Sequence, residues 1–412
     1  MINRQPIVIT GMGIICSVGM NVDEFWKSLA AGKSGIGKIT RFDVTDFPAQ
    51  VAAEVKDFNP VNYMDAKTVD RTSRTVQMGI AATKEAMESA RLDINKVDKT
   101  RVGVVTTTMI DADYLINGSE VLREKGPRRV DPLFIVKGGP HSVSQQVGTF
   151  VGGTGPNTSV NSVCASGSDA IGVATNFIRL GYADVMVAGG SDCSIGPGTL
   201  AGLVRLGALS KATDPALACR PFDLNRNGFV AGEGAAIVIL ETLDHARKRG
   251  APILAELAGA GWSFDAASVT APQAETQVLA IQSAMRNAGI KPEDIDCINC
   301  HGTGTRLNDK CETAAIKMAL GERAYQIPIS SNKSMFGHGI TAGGALEFVS
   351  AVSTITNNFV PPTINYETPD PECDLDCVPN VGRQAEINTI LSNEFGIGGE
   401  NVCLIIRRFV DK

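Results

Sequence analysis

Short runs rich in Val and Ile alternate with amphipathic segments along the whole 412-residue chain, and this alternation constrains the fold most. The strand-like runs are residues 101–107, 184–188, 235–241 and 402–407. The segments between them, with apolar residues at three- and four-residue spacing, are residues 76–92, 166–181, 274–288 and 312–320. Such alternation is typical of an α/β protein whose strands are largely buried. We therefore predict an α/β fold.

Composition narrows the class of protein. Hydrophobic residues make up 43% of the chain and charged residues 20%, as in ordinary globular proteins and unlike disordered chains. The net charge of −6 argues against nonspecific nucleic-acid binding through a broad basic surface. No apolar run approaches the roughly 18 residues typical of a membrane helix. Glycine accounts for 43 of the 412 residues, about 10%, against a usual share of ~7%. This excess predicts tight turns.

The first twenty residues loosely resemble a signal peptide, because Arg4 precedes an apolar stretch over residues 6–20. Glycines interrupt that stretch, however, and no small-residue cleavage site follows it. We predict instead a buried strand over residues 7–10, a glycine turn, and a helix that begins near Asn21. We expect a cytoplasmic protein whose ten cysteines are reduced and mostly buried.

Cys164 is a candidate nucleophile. It lies between a β-branched, strand-like stretch and an amphipathic helix, so the helix dipole should favour its thiolate. The small residues that follow it leave room for a substrate. A buried cysteine packed between strand and helix is the alternative interpretation.

Two of the four histidines lie in glycine-rich segments that follow strand-like runs. His301 follows residues 296–300, and His338 comes shortly after residues 327–331. Side chains at such strand ends can converge on one pocket in an α/β protein. His245, in a charged helical stretch, is interpreted as a surface residue, and His141 as a loop residue.

The cysteines also match patterns of other chemistry. Cys297, Cys300 and His301 fit the C-x-x-C-H haem-attachment pattern, although both cysteines fall in a predicted strand. Cys297 and Cys300 could bind zinc together with Cys373 and Cys377, but the same strand position argues against that site.

Glycine motifs provide a further alternative. Gly11 and Gly13 begin a dinucleotide-binding fingerprint, but its third glycine is absent. The glycines within residues 396–399 are interpreted as a close-approach turn, because no Lys-Ser/Thr pair follows them.

Seven short motifs occur in one order over nearly the whole chain. They are VITGMG at 8–13, VCASG at 163–167, RPFD and GFVAGEG at 220–223 and 228–234, HGTGT at 301–305, NDKCET at 308–313, NKS and GH at 332–334 and 337–338, and NEFGIGG at 393–399. Together they resemble the elongating β-ketoacyl-acyl-carrier-protein synthases, the condensing enzymes of fatty-acid and type II polyketide synthesis.

The resemblance implies a thiolase-like fold, a five-layered α-β-α-β-α unit of two similar halves that is usually dimeric. A charged stretch at residues 244–251 marks the predicted boundary. We expect an N-terminal half, residues 1–250, that carries the nucleophilic cysteine, and a C-terminal half, residues 251–412, that carries both catalytic histidines.

The resemblance also implies a chemistry. Cys164 would accept an acyl group from the phosphopantetheine of a carrier protein. His301 and His338 would bind the thioester carbonyl of malonyl-carrier protein through ring N–H groups, and the carbanion left by decarboxylation would lengthen the acyl chain by two carbons. Lys333 would stay charged and hold the geometry around His301. Backbone N–H groups of Cys164 and Ile397 would form an oxyanion hole.

Further roles follow from the same resemblance. The substrate pocket and its gate would involve Thr303, Thr305, Phe395 and Ile397. Carrier-protein docking would use the basic residues Lys67, Arg71, Arg128, Arg129 and Arg205. Asn393 and Glu347 would give structural support, and Glu347 sometimes holds a monovalent cation in the family. No metal and no covalently bound cofactor are expected. Plain surface residues are the alternative interpretation for Lys333, Glu347 and the docking set.

Departures from the family pattern concern the substrate. Ile397 replaces a larger gate residue, Glu400 stands where threonine is usual, and residues 137–141 break a segment that is normally an apolar helix. These differences favour a specialised polyketide or polyene chain, made by a homodimer or with a chain-length-factor partner. A non-decarboxylating thiolase or acyltransferase is a remote alternative, since a thiolase needs a second active-site cysteine and Cys403 lies in an apolar strand. A catalytically silent partner subunit is the third hypothesis.

Overall fold

The computed structural model of the chain describes residues 5–411. Arg4 and the outermost bounds of the two predicted halves, residues 1 and 412, therefore lie outside the described residues. None of the helices within this range is long and apolar enough to cross a bilayer.

The strands come in two sets of five, with four short strands beside them. The ten strands of the main sheet are β1 Ile7–Cys16, β4 Val102–Thr107, β5 Asn157–Ser159, β6 Val185–Asp192, β7 Gly234–Thr242, β8 Ala255–Phe264, β9 Cys297–Asn299, β10 Ile329–Ser330, β13 Thr389–Phe395 and β14 Glu400–Arg407. The short pairs are β2 Gly37–Lys38 with β3 Val51–Ala52, and β11 Phe359–Val360 with β12 Arg383–Gln384.

Helices connect these strands. They are α1 Val22–Ala30, α2 Ala66–Arg71, α3 Arg74–Ser89, α4 Ala112–Lys125, α5 Phe134–Gly138, α6 Ser142–Val151, α7 Ser166–Arg179, α8 Pro197–Leu206, α9 Leu243–Lys248, α10 Ala274–Ala288, α11 Arg306–Leu320, α12 Lys333–Phe336 and α13 Gly343–Asn357. The predicted strands and helices are thus confirmed, with ends that differ by a few residues.

The main sheet repeats one topology twice. Outward from its centre, one half runs β1-β7-β6-β4-β5 and the other β8-β14-β13-β9-β10. In each half the first two pairings are antiparallel and the last two parallel. Only two residue pairs, Val8 with Glu256 and Ile9 with Ala255, join β1 to β8. The prediction of two similar halves is confirmed, whereas the division at residue 250 stays a prediction.

Three hydrophobic clusters lie between the layers of helices and strands. The central cluster packs α7 and α13 between the halves, with Ile171, Phe348 and Leu404 among its buried members. A second cluster buries α3 and α6 against the outer face of the first half. A third buries α10 and α11 against the second half. The two halves of the main sheet thus form two of five layers. In order, the layers are α3 with α6, the first half of the sheet, α7 with α13, the second half of the sheet, and α10 with α11, as expected for a thiolase-like fold.

The predicted glycine turn after residues 7–10 is wrong, because the first strand continues through it. β1 runs unbroken through Gly11 and Gly13 and reaches Cys16, and Asn21 then caps α1. A Cβ atom on Gly13 would overlap the backbone of Ala82 in α3. The two glycines therefore let a helix approach the strand closely, and the turn of a dinucleotide-binding site is absent at these positions.

The cysteines behave as expected in the described chain. All ten are free, and eight of them are buried. Residues 139–141 separate α5 from α6, so the predicted break in that segment is confirmed.

Gly13→Ala should lower the free energy of unfolding by about 3 kcal/mol, because the added methyl group must displace helix backbone. Gly202→Ala is the matched control: Gly202 lies inside α8, where an added methyl group would meet no atom within 4 Å, and alanine there should stabilise by about 0.5–1 kcal/mol. Urea unfolding of both variants tests the pair. Equal effects would contradict the close approach at Gly13.

Candidate active site

Cys164 lies at a sharp turn that leads from β5 into α7. The preceding Val163 has φ of 51°, a left-handed conformation that is strained for a β-branched residue. A 3₁₀ turn over Val163–Ala165 then joins α7 directly. This geometry presents the cysteine at the N-terminal end of the central helix, as the sequence predicted.

Cys164 rests as the neutral thiol. Burial is the largest cause that raises its pKa to about 11. A hydrogen bond from the backbone N–H of Ile397 and the charge of Lys333 act in the opposite direction. The expectation that the helix terminus would favour the thiolate is therefore wrong, since burial outweighs it.

His338 lines a cavity and has one ring nitrogen without a hydrogen-bond partner. Its Nδ1 accepts the backbone N–H of Ile340 at 3.2 Å, so Nε2 carries the proton in the neutral ring. Nε2 is buried and has no hydrogen-bond partner. Burial, followed by the charge of Lys333, lowers the pKa of His338 well below its usual range. The neutral ring of His338 therefore has an Nε2–H group that can donate a hydrogen bond to a ligand.

His301 follows β9, and its loop is held by Glu312. The Glu312 carboxylate accepts the backbone N–H of His301 at 2.9 Å and that of Gly302 at 2.7 Å. The His301 ring lies 5.4 Å from the His338 ring, centroid to centroid. Its Nδ1 lies 2.6 Å from Oε2 of Glu394. Burial and the charge of Lys333 lower the pKa of this ring too.

Lys333 is fully buried beside these histidines. Its Nζ donates to Glu347 Oε1 at 2.6 Å and to Glu394 Oε1 at 3.2 Å, and it lies 3.3 Å from His301 Nδ1. Glu347, on α13, is also fully buried. Interpretation of either residue as a surface residue is therefore wrong. Asn393 supports the same wall, because its amide donates to Glu312.

Glu394 is the residue that sequence reasoning missed. It lies within β13, where every residue is buried, and contacts both His301 and Lys333. Burial raises its pKa to about 7. The signal was available in the sequence: an acid between Asn393 and Phe395, in a strand-like segment, requires a buried partner.

Three of the residues around Lys333 have side-chain atoms that are spaced closely enough to bind one metal ion. Among the described residues, His301, Glu347 and Glu394 form the one group of this kind, with ligand atoms within 4.8 Å of one another. The Lys333 ammonium contacts all three and supplies positive charge at that position. The predicted absence of a metal stays a prediction.

A cavity of about 680 Å³ lies next to the cysteine and the two histidines. Cys164, His301 and His338 all line it. The four residues predicted for the pocket and gate, Thr303, Thr305, Phe395 and Ile397, line it as well. Two basic residues absent from the predictions, Lys211 and Arg306, are exposed and belong to the same lining.

The predicted docking residues are exposed. Lys67 and Arg71 lie on α2, Arg128 and Arg129 in a 3₁₀ turn, and Arg205 on α8 next to Leu206, which lines the cavity. Exposure leaves them available to a partner, and their role stays a prediction.

The interpretations of the cysteines as a haem-attachment motif or a zinc site are wrong. Cys297 and Cys300 are buried in and beside β9, where a haem has no access. Cys373 and Cys377 are buried too, and within residues 5–411 the four thiols form no cluster at metal-binding spacing. His245 is not a free surface residue, because its Nδ1 lies 2.5 Å from Glu241. His141 lies between α5 and α6, as predicted for a loop residue.

Comparison with known proteins agrees with this geometry. Residues 4–246 match the family model of the β-ketoacyl synthase N-terminal domain, and residues 254–367 match that of the C-terminal domain. A 3-oxoacyl-[acyl-carrier-protein] synthase 2 of Coxiella burnetii is 42% identical, over 99% of this chain and 100% of the relative. The protein of the same name from Synechocystis is 40% identical, over 99% of each chain.

Solved structures give the same result. The ishigamide ketosynthase/chain length factor superposes with a TM-score of 0.92 at 35% identity, over 99% of this chain and 100% of that one. A β-ketoacyl synthase from Burkholderia phymatum superposes with a TM-score of 0.92 at 32% identity, over 98% and 100%. The type II ketosynthase of the AntDE:AntF carrier-protein complex gives 0.89 at 34%, over 99% and 100%. With its paired halves and its cysteine–histidine cavity, the chain belongs to the β-ketoacyl synthase family.

Proposed function

We propose that this chain is a β-ketoacyl-acyl-carrier-protein synthase, an acyltransferase that condenses malonyl-carrier protein with an acyl group held on Cys164. One observation carries the proposal: the Cys164 thiol and both histidine rings line a single cavity. In the first step the sulfur attacks the acyl thioester and releases the carrier thiol. The backbone N–H groups of Cys164 and Ile397 receive the oxyanion, and the Ile397 N–H already contacts the sulfur.

The second step is decarboxylation of a malonyl thioester. The Nε2–H of His338 has no partner in the protein, and His338 lines the cavity, so a thioester carbonyl bound there can accept this hydrogen bond. His301 would donate to the same oxygen. Because both rings are neutral and almost fully buried, their hydrogen bonds strengthen as negative charge develops on that oxygen. Loss of CO₂ then leaves a carbanion that attacks the acyl-cysteine and extends the chain by two carbons.

The thiolase alternative lacks its second cysteine. Cys403 is fully buried on β14, and its thiol lies 3.3 Å from the Asn393 side-chain oxygen. It does not line the cavity, whereas Cys164 does. A silent partner subunit is equally disfavoured by the complete set of reactive groups.

A partner chain is part of the proposal. In the single chain no residue of α4 is buried, and Ile116 and Leu122 of that helix are about half exposed. Ile135 of α5 is 72% exposed. Such an apolar surface is typical of a subunit interface. The partner is a second copy or a chain-length-factor-like subunit, and similarity to the ishigamide ketosynthase/chain length factor supports the second possibility. Substrates would arrive on the phosphopantetheine of an acyl carrier protein.

Cys164→Ala should abolish acyl transfer and lower condensation by at least about 10⁴-fold, because the nucleophile is lost. Intact mass spectrometry of enzyme and carrier-bound product measures both steps. Cys311→Ala, which removes a half-buried thiol outside the cavity, is the control and should leave both unchanged.

The same assay separates the partner hypotheses. A two-carbon extension by the purified chain alone indicates a self-sufficient homodimer. Acylation of Cys164 without extension indicates that a second subunit is required. Acylation that persists in Cys164→Ala would contradict the proposed nucleophile.

His338→Ala should lower the rate of malonyl-carrier-protein decarboxylation by about 10²–10³-fold while leaving Cys164 acylation nearly unchanged, because it removes one carbonyl donor. Release of CO₂ and the mass of the acyl-enzyme report the two steps separately. His141→Ala serves as the control and should match the unaltered protein. Equal losses in both steps would refute a role confined to the malonyl thioester.

Lys211→Glu and Arg306→Glu should each raise KM for an acidic carrier protein about fivefold, equivalent to about 1 kcal/mol for an exposed ion pair. Both residues line the cavity mouth, where a carrier must deliver its prosthetic group. The effect should shrink as salt is added. Lys248→Glu, on α9 outside the lining, should have no effect, and an equal rise in KM there would contradict local docking.

A further inference from the structure

Glu394 brings an additional acid into the active site. Its two oxygens have separate partners: Oε1 accepts from Lys333 at 3.2 Å, and Oε2 lies 2.6 Å from His301 Nδ1. Oxygen-to-nitrogen contact at that distance requires a proton between the two atoms. Whether the proton resides on Glu394 or on Nδ1 determines what the opposite nitrogen, Nε2, presents to the cavity.

Charge balance favours the protonated acid. The ionisable groups that face Glu394 from the surrounding elements are His301, Lys333, Glu347, Cys164 and Cys403. Lys333 carries one positive charge, and Glu347, at 2.6 Å, already neutralises it. Both histidines and both thiols are neutral. An ionised Glu394 would be a second, uncompensated negative charge in a fully buried cluster, which is costly.

We propose that Glu394 is a positioning residue that, in its neutral form, donates its proton to His301 Nδ1 and thereby holds His301 in the tautomer with Nε2–H directed at the substrate carbonyl. This inference rests on the proposed function and deepens it. His338 is fixed in the same tautomer by the backbone N–H of Ile340. His301 Nδ1 instead faces two side chains, the Lys333 ammonium at 3.3 Å and Glu394 at 2.6 Å, of which Glu394 is the closer and can ionise.

Ionisation of Glu394 reverses the tautomer. The carboxylate then accepts Nδ1–H, and Nε2 becomes an acceptor that repels the carbonyl oxygen. Activity should therefore be highest while Glu394 is protonated and should fall as pH rises through its pKa of about 7. The site would work with two donors below that pH and with one above it.

Glu394→Gln separates this role from a structural one. Lys333 must donate to the position of Oε1, so the amide oxygen lies there and the NH₂ group faces His301 Nδ1. The amide therefore imitates the neutral acid permanently. We expect kcat/KM for malonyl-carrier protein, measured with acylated enzyme from about pH 5.5 to 9, to fall about tenfold per unit on the basic side for the unaltered protein. The variant should lack that fall and remain within about threefold of the low-pH plateau.

Glu312→Gln is the matched comparison. The pKa of Glu312 is also raised to about 7 by burial, but its carboxylate contacts the backbone of His301 and not the ring. This variant should retain the basic fall. A Glu394→Gln profile that retains it, or a Glu312→Gln profile that loses it, would overturn the inference.

A second readout needs neither catalysis nor a variant. The chain has four histidines, and ¹⁵N shifts of the imidazole nitrogens distinguish the tautomers. In the unaltered protein, the His301 signals should exchange the Nε2–H pattern for the Nδ1–H pattern as pH rises through about 7, while His338 keeps the Nε2–H pattern. An unchanged His301 pattern overturns the inference even in a fully active enzyme. If the enzyme neither acylates Cys164 nor condenses at any pH, the proposed function fails, and the tautomer measurement still decides the role of Glu394.

Discussion

A lysine ammonium sealed from water is the constraint on which the active site depends. An unpaired charge in such a place costs several kcal/mol, so the fold must supply acids and hold them rigidly. Lys333 has Glu347 from α13 on one side and Glu394 from β13 on the other. The same ammonium contacts His301, and burial of the two rings, followed by this positive charge, keeps both histidines from taking up protons. Two neutral histidines therefore follow from burial beside one cation.

Internal duplication explains how these groups meet. Strands β4 and β5 in one half correspond to β9 and β10 in the other, and each parallel edge is followed by a segment with a reactive residue. Cys164 precedes α7, and Lys333 lies shortly before α13, the two helices of the central layer. Gly167 and Gly344 lack side chains where these helices touch, which lets the backbones approach closely. Packing of the central layer thus brings Cys164 of one half to the histidines of the other, where all three line one cavity.

Much of this could be predicted from the sequence, because periodicity and motif order carry local information. Strand and helix segments, the turn at Cys164 and the convergence of His301 and His338 followed from such patterns. Partners distant in the chain did not. Glu394 and Lys333 are 61 residues apart, and nothing local indicates that this acid accepts a hydrogen bond from the lysine or contacts a histidine.

Burial was the second quantity that the sequence did not reveal. A helix terminus near Cys164 suggested a thiolate, but the degree of enclosure, which depends on the whole fold, raises the pKa of that thiol. Gly11 and Gly13 were mistaken for a turn for the same reason, since the helix that requires them lies about 70 residues further along the chain.

The central claim is that the cavity catalyses condensation coupled to loss of CO₂. Malonyl-carrier protein labelled with ¹³C at its free carboxyl carbon tests it most directly, with acylated enzyme and mass analysis of the carrier-bound product. The account predicts a product two carbons longer without the label, and labelled CO₂ in equal amount. Label retained in an extended product, or transfer of the intact malonyl group, would contradict it.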